Sequence, residues 1–335
     1  SSAYRGKSIV VSGDSQQMPP SSYFETSKNL VDDSDSDLLE DDTAQYQETS
    51  SIEMATKESL LDWAIDEGFH ETYLDMHYRS KHPDLIEFSN TCFYGSRLIP
   101  MPETITDIPI EFNQINGVFE KGTNEAEGLE VLNILKNKIS LGKSVGVATF
   151  NLVQRNLILN LIAKERYENP EFNSKMTALI ADGFFVKNLE NIQGDERDII
   201  IISTTFGKKK DGKFIMNFGP ITQKNGHRLL NVIITRAKEK VYLITSIPED
   251  RQFEFKNFIE LENRVSGKSG LLAYLQYCKH VSSNNQTEKE DLLRYIRSKI
   301  NINQNAINSN IGLTESPFEE EVYQYLVPEF GKDNI

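Results

Sequence analysis

Residues 188–207 read NLENIQGDERDIIIISTTFG, and residues 227–246 read HRLLNVIITRAKEKVYLITS. Each stretch holds one apolar, β-branched run, Ile199–Thr204 in the first and Val241–Thr245 in the second. Neither run alternates polar with apolar residues, which is the pattern of strands buried on both faces of a parallel sheet. Polar groups stand at the amino end of each run. Before the first lies the loop Gln193, Gly194, Asp195, Glu196 and Arg197. Before the second, the spacing predicts a helix over 228–239 that turns Asn231, Thr235 and Arg236 to one side. Polar side chains gathered at the ends of buried strands are where α/β sheets bind ligands.

Composition sets the outer bounds. The chain has 335 residues, 38% hydrophobic and 26% charged, enough for two ordinary domains or for one with additions. No run of about 18 apolar residues occurs, so no membrane span is expected. The chain opens Ser-Ser-Ala without Met or an apolar leader, which predicts an excised fragment and shows no secretory signal. Cys92 and Cys278 share no CxxC pattern, and the five His form no HExxH, so neither a disulfide nor a metal site is expected and a cytoplasmic setting fits. The net charge of −14 argues against a nucleic-acid partner until it is located. Eight acids and no base fall between residues 31 and 50, so more than half of the excess lies in one stretch. A groove elsewhere can still be basic, because the local field matters more than the total.

Upstream of the decisive stretch, Lys7–Ser12 predicts a short buried strand running into Gly13-Asp14-Ser15-Gln16-Gln17-Met18-Pro19-Pro20. Residues 28–56 read as an acidic surface insertion with too little apolar area to order itself. Residues 58–68 predict an amphipathic helix with Leu60, Leu61, Ala64 and Ile65 on one face and Gly68 at its C-cap. Thr72–His77 predicts a strand ending in Tyr78-Arg79-Ser80, and Pro83 suits the first turn of the next helix. Leu85, Ile86, Phe88, Phe93 and Tyr94 read as core. A strand over 108–112, a helix over 125–139 capped by Thr123 or Asn124, and a strand over 145–150 follow. The helix over 151–164 presents Val153, Leu157 and Leu161 as its stripe. After Ser246 the chain turns helical, over 270–280 and 288–300, with Leu292, Leu293 and Ile296 on one face of the latter.

These motifs carry a resemblance. QGDERD before an apolar strand resembles motif V of superfamily 1 helicases, LNVIITRAK resembles motif VI, and GDSQQMPP resembles motif III with Met18 in place of Leu. YRS-x-HPxLIxFSN resembles motif IV. The order and spacing are similar to the 1B, RNA-surveillance-type branch, whose members move 5′→3′. The resemblance covers roughly residues 5–250 and implies an α/β fold: a P-loop NTPase-like second RecA-like domain, a parallel sheet flanked by helices, here with a helical C-terminal extension. It implies this division: 1–27, a remnant of the first RecA-like domain; 28–56, the insertion; 57–250, the second RecA-like domain; 251–312, helical extension and linker; 313–335, the start of a nuclease-like domain.

Site residues follow from the same resemblance. Gln17 would sense the γ-phosphate of ATP, with Asp14 fixing its loop. Arg79 and Arg236 would be arginine fingers, a task for a guanidinium because it stays charged and forks onto phosphate oxygens. Arg228 would be a supporting cation, although Leu229 stands where family members often carry an adjacent arginine. Gln193 and Gly194 would link ATP to the nucleic-acid site, and Glu196 would accept from a ribose hydroxyl. Gly194 suits a backbone with positive φ. Thr149, Phe150 and Asn231 would face the nucleic-acid strand, with Phe150 where the family has Pro. Gln154 fits that surface or a plain helix exterior. Lys208, Lys209 and Lys210 fit either a grip on a phosphate backbone or a solvated hairpin tip.

No GxxxxGK[ST] is present: Gly-Lys-Ser recurs at 6–8, 142–144 and 267–269, but Ser1, Asn137 and Glu262 replace the first glycine. The ATP and Mg2+ site would therefore lie mainly on a first RecA-like domain supplied in cis, and this chain alone would not hydrolyse ATP. SPFEEEVYQYL at 316–326 resembles the opening of a Vsr-like nuclease domain, in which Glu319 would assist metal binding; that tail points to DNA, with RNA possible. The rival class is a RecA-like module that docks partners without ATPase activity. A nucleotide-dependent oxidoreductase is disfavoured, since no GxGxxG follows a strand.

Overall fold

The computed structural model describes residues 8–18, 59–100 and 107–300. Its centre is a five-stranded parallel sheet of β3 (Ile110–Gln114), β4 (Val145–Thr149), β5 (Phe185–Asn188), β6 (Arg197–Gly207) and β7 (Ala237–Ser246), in the order β3-β7-β6-β4-β5. Two residues each of β1 (Met76–His77) and β2 (Ile99–Pro100) make a separate parallel pair. Helices α1 (Leu60–Asp66), α2 (Asp84–Phe93), α3 (Glu125–Asn137), α4 (Leu152–Glu168), α5 (Pro170–Ala181), α6 (Gly226–Ile234), α7 (Glu249–Gln252), α8 (Phe255–Glu262), α9 (Gly267–Ser282) and α10 (Gln286–Lys299) complete the described part. Among the described residues no helix is long and apolar enough to cross a membrane.

The missing alternation in the two central runs has the expected cause. Ile199, Ile201, Tyr242 and Ile244 enter one core with Val131, Leu135, Ile158, Met176 and Leu179 of α3, α4 and α5. Ile200, Ile202, Val241 and Leu243 are equally buried on the other face, the side of α2, α6 and α9. A strand covered on both sides needs apolar residues at every position. Close approach also fixes Gly146 in β4, where an added Cβ would stand 2.4 Å from the Phe185 ring.

Several expected elements are corrected. Residues 8–12 form no strand, and Val10 is 93% exposed, because no ladder partner lies beside them among the described residues. In α1, Ser59 caps the amino end and Gly68 takes φ +75, yet only Ala64 of the expected face is buried. The strand expected over 72–77 is paired only at Met76 and His77. The buried stripe of α4 is Gln154, Ile158 and Ile162, one residue past the expected one, which leaves Val153 exposed. α5 and β5 were not anticipated. The helix expected over 228–239 ends at Ile234, since Thr235 Oγ1 donates to the Asn231 and Val232 carbonyls and Arg236 Nε donates to the Val232 carbonyl at 2.7 Å. Side chains thus satisfy the last-turn carbonyls, and Ala237 is free to open β7. The insertion at 28–56, Pro19 and Pro20, the linker after 300 and the stretch 313–335 with Glu319 lie outside the described residues.

One buried carboxyl gathers the carboxyl ends of the central strands. Glu127, in the first turn of α3, is fully buried, and its Oε2 accepts from Ser203 Oγ at 2.6 Å and Thr205 N at 2.7 Å. Its Oε1 accepts from Ser246 N at 2.9 Å and Thr204 Oγ1 at 3.3 Å. Thr205 sits at φ +73, a conformation β-branched residues avoid, so this contact holds a strained backbone. Burial pushes the Glu127 carboxyl up to about 7, against the pull of these hydrogen bonds. The folded chain then keeps a proton that the unfolded chain loses above about 4.5. Stability from this group is full below that value and falls as pH rises towards 7, by about 3 kcal/mol. Urea unfolding between pH 5 and 8 is expected to show that slope in the wild type and to lose it in Glu127→Gln. Glu127→Ala, which strands the backbone donors of Thr205 and Ser246, is expected to cost about 3–5 kcal/mol at pH 5 and less as the pH rises.

Candidate functional site

The polar groups of the decisive stretch meet at the amino edge of β6 and β7. Arg197 pairs with Ala237 in the ladder, so the loop before β6 and the end of α6 lie side by side. On the β6 side, Glu196 is held between two cations: Arg79 Nε at 2.8 Å and Lys238 Nζ at 2.8 Å. The Lys238 hydrogen bond, and after it Arg79, keeps the Glu196 carboxyl below its ordinary range despite partial burial. On the β7 side, Arg236 is 3% exposed and turned back on its own helix, with Nη2 donating to Thr235 Oγ1 at 3.1 Å. Its Nη1 reaches the Asp195 carbonyl at 3.5 Å. Burial, then the neighbouring Arg79, lowers Arg236 to about 10, which leaves it charged at neutral pH.

The chain before α2 closes the same edge. Lys81 N donates to the Lys238 carbonyl at 2.7 Å, and Ser80 N donates to His77 Nε2 at 3.2 Å, so the turn carrying Arg79 is fastened to β7. Burial and the Arg79 charge push His77 down to about 4, keeping it neutral. Residues 14–17 form a turn packed against α2 and α6. Asp14 Oδ2 accepts from Gln17 Nε2 at 2.8 Å and from Tyr94 OH at 2.7 Å. Asn231 Nδ2 donates to the Gln16 carbonyl and to Tyr94 OH, both at 2.8 Å, while its Oδ1 accepts from Ser89 Oγ. Gln193 Nε2 donates to the Met18 carbonyl at 3.0 Å, and Gly194 takes φ +85.

Asp14, Gln17, Arg79, Gln193, Gly194, Glu196 and Arg236 therefore share one edge of the sheet. Asn231 joins them, but its amide is fully buried and both its donors are engaged on protein groups. Arg228 is half-buried in the first turn of α6. Thr149, Phe150, Lys208 and Lys209 lie at the opposite, carboxyl edge. There the Thr149 and Phe150 side chains are buried, Thr149 Oγ1 donating to the Asn151 carbonyl and the Phe150 ring packing 6.3 Å from Phe206. Neither residue presents a surface to a nucleic-acid strand. Gln154 is fully buried rather than on a helix exterior: Nε2 donates to the Asn124 carbonyl at 2.9 Å and Oε1 accepts from Asn124 N at 2.7 Å. Lys208 and Lys209 are exposed at the tip beyond β6, where Lys210 pairs with Glu120 at 2.7 Å. A cleft of about 450 Å³ there is lined by Lys208, Lys213, Phe214, Ile215, Pro248 and Arg251.

Tyr94, Lys238 and Ser89 belong to the site and were not anticipated as such. Tyr94 had read as core, but its hydroxyl bridges Asp14 and Asn231. The only sequence signal for it is position: it directly follows a helix whose aromatics, Phe88 and Phe93, are buried and half-buried. Lys238 follows Arg236 by two residues at the start of a strand, the spacing that puts both on one side.

Residues 121–247 match the profile of an AAA domain family. Two uncharacterized ATP-dependent helicases, from Mycoplasma pneumoniae and Mycoplasma genitalium, are each 33% identical to the chain over 298 and 297 residues. The alignments take in 86% and 85% of this chain but 24% of each relative, so the chain spans about a quarter of their length. The C-terminal domain of a possible DNA helicase from Lactobacillus plantarum is 15% identical, covering 50% of this chain and 86% of its own, at a TM-score of 0.27, too low to carry an argument. The profile and the two relatives support a helicase-like domain, and the parallel sheet between helices is the fold such a domain has.

Tyr94→Phe removes one donor and one acceptor from the centre of the cluster. The expected result is a stability loss of about 1–2 kcal/mol. Hydrogen exchange should show faster exchange at the Gln16 and Gln17 amides, which rest on Asp14, and unchanged exchange in β4.

Proposed function

We propose that the chain is the second motor domain of an ATP-dependent superfamily 1 helicase of the 1B type, whose ATP-facing surface is the amino edge of β6 and β7. One observation carries the reading. Asp14, Gln17, Arg79, Glu196 and Arg236, distant in sequence, converge on one edge and leave Arg79 and Lys238 partly exposed there. That donor set suits a polyphosphate, since guanidinium and ammonium groups at a part-buried edge bind phosphate oxygens strongly. ATP, when bound, would supply the phosphoryl group, with Mg2+ neutralising its oxygens, and Arg79, Lys238 and Arg236 would be this chain's groups that meet them.

This chain's own residues do the rest. Arg79 rests on Glu196, and Arg236 rests on the carbonyl of Val232. Each guanidinium is stored on a neighbour until an anion of higher charge draws it out. When Arg79 leaves, Glu196 remains paired with Lys238. Gln193, bonded to the loop of residues 14–18, links the same movement to the sheet. Such catalysis is positioning and charge stabilisation.

A first motor domain in cis is supported by an exposed apolar face. Leu74, Met76 and Tyr78 are 91%, 59% and 80% exposed, and Ile99 beside Met76 is 57% exposed. The chain has no GxxxxGK[ST] sequence, so ATP turnover belongs to the longer protein. The nucleic-acid surface is the carboxyl edge with Lys208 and Lys209, and DNA is favoured over RNA by the Vsr-like sequence at 316–326.

In the full-length protein, Arg236→Ala is expected to lower nucleic-acid-stimulated ATP turnover by roughly 10³-fold or more while ATP still binds. Arg236→Lys, which keeps the charge but not the fork, separates this from the capping of α6. Unchanged turnover in both variants would overturn the finger assignment. A wild type with no turnover on any DNA or RNA would favour a docking module without ATPase activity. Greater stimulation by DNA than by RNA is expected.

A further inference from the structure

α10 lies against α2, α8 and α9, on the side of α2 away from the site. It holds α2 at two points. Lys289, 7% exposed, puts Nζ 2.8 Å from Asp84 Oδ1 and 2.8 Å from Glu87 Oε2, both in the first turn of α2. Further along, Arg297 Nη2 donates to Thr91 Oγ1 at 3.2 Å. Tyr277 of α9 supports the first grip, its hydroxyl donating to the Asp84 carbonyl at 2.9 Å. The other flank of α2 faces the site, where Ser89 meets Asn231 and Tyr94, just past its end, meets Asp14.

The grip at Lys289 differs from a surface ion pair. Both Lys289 and Asp84 are nearly enclosed, at 8% and 9% side-chain exposure, so little solvent screens them. Without the ammonium, Asp84 and Glu87 stand one helical turn apart with like charge and no counter-ion between them. The turn that must then loosen continues directly into the loop carrying Arg79. That loop is tied to α2 by His82 Nδ1, which accepts from Asp84 N at 3.1 Å, and to β7 by Lys81, whose N donates to the Lys238 carbonyl and whose Nζ pairs with Glu239 at 3.0 Å.

We propose that Lys289 is a positioning residue for Arg79 and Asn231: α10 braces α2, and the brace fixes where the arginine loop and the asparagine stand at the sheet edge. The functional meaning rests on the ATP-facing reading of that edge; the mechanical claim does not. Arg297 fastens the far end of the same brace. Any load on α10 is thereby transmitted to the site through α2, without a group on α10 touching it.

The test is amide hydrogen exchange on the whole 335-residue chain, wild type against Lys289→Met. The Lys81 amide is expected to exchange on the order of tenfold faster, while amides of Ile200–Ile202 in β6 and Val147 in β4 keep their rates. Asp84→Asn combined with Lys289→Met relieves the like-charge repulsion but not the lost link, so the Lys81 amide is expected to stay fast, and a restored rate would overturn the brace. Uniform acceleration through β4 and β6, or an unchanged Lys81 amide, would overturn the brace. If Lys289→Met does not fold, Arg297→Ala is measured instead, with the same local pattern expected and the same outcomes decisive. In the full-length protein, Lys289→Met should reduce stimulated ATP turnover without changing nucleic-acid affinity, and equal turnover would refute the link to the site. A wild type with no turnover would remove the functional reading and leave the exchange result to judge the brace.

Discussion

The register between β6 and β7 is the constraint on which the rest depends. Arg197 opposite Ala237 sets the loop 193–196 beside the end of α6, and no other register brings Glu196, Lys238 and Arg236 together. Because side chains alternate along a strand, a slip of one residue would turn Ile200 and Ile201 to opposite cores and carry Lys238 away from Glu196. Close packing on both faces opposes that slip, because each side chain would have to fill the space shaped for its neighbour. The same apolar runs that make the sheet stable therefore also fix the charged edge, and packing and chemistry are set by one ladder.

Polar satisfaction shapes both edges. At the carboxyl edge Glu127 collects donors from two strands and tolerates its own burial to do so. At the amino edge the last turn of α6 is closed by the side chains of Thr235 and Arg236, so the guanidinium has a structural duty as well as the proposed catalytic one. Both arrangements answer the same rule, that buried backbone groups must find partners. The difference is that Arg236 has a chemically better partner in any phosphate, whereas Glu127 has none nearby.

Much of this was legible in the residues. The continuous apolar runs disclosed the parallel strands, and the loop QGDER together with TRAK disclosed which edge carries charge. What the sequence concealed is cross-chain geometry. Tyr94 looks apolar until Asp14 and Asn231 stand on either side of it. Gln154 and Thr149 look like surface groups, because nothing in their neighbourhood reveals that Asn124 and Asn151 fold over them. The helix over 228–239 was overdrawn for a similar reason. Its periodicity continues, and only the return of side chains to the carbonyls of Asn231 and Val232 ends it. Residues 8–12 read as a buried strand because Ile9, Val10 and Val11 are core residues in composition, yet no strand stands beside them among the described residues.

β6 runs eleven residues, about 35 Å, from the charged loop to the cleft beside Lys208. It is paired on both sides from Ile199 to Ser203, whereas between Ser203 and Gly207 the ladder is interrupted and Glu127 holds the Thr205 backbone instead. The course of the chain beyond Ser203 is thus set by side chains rather than by the ladder, and the direction in which the lysine tip leaves the sheet hangs on a single carboxyl.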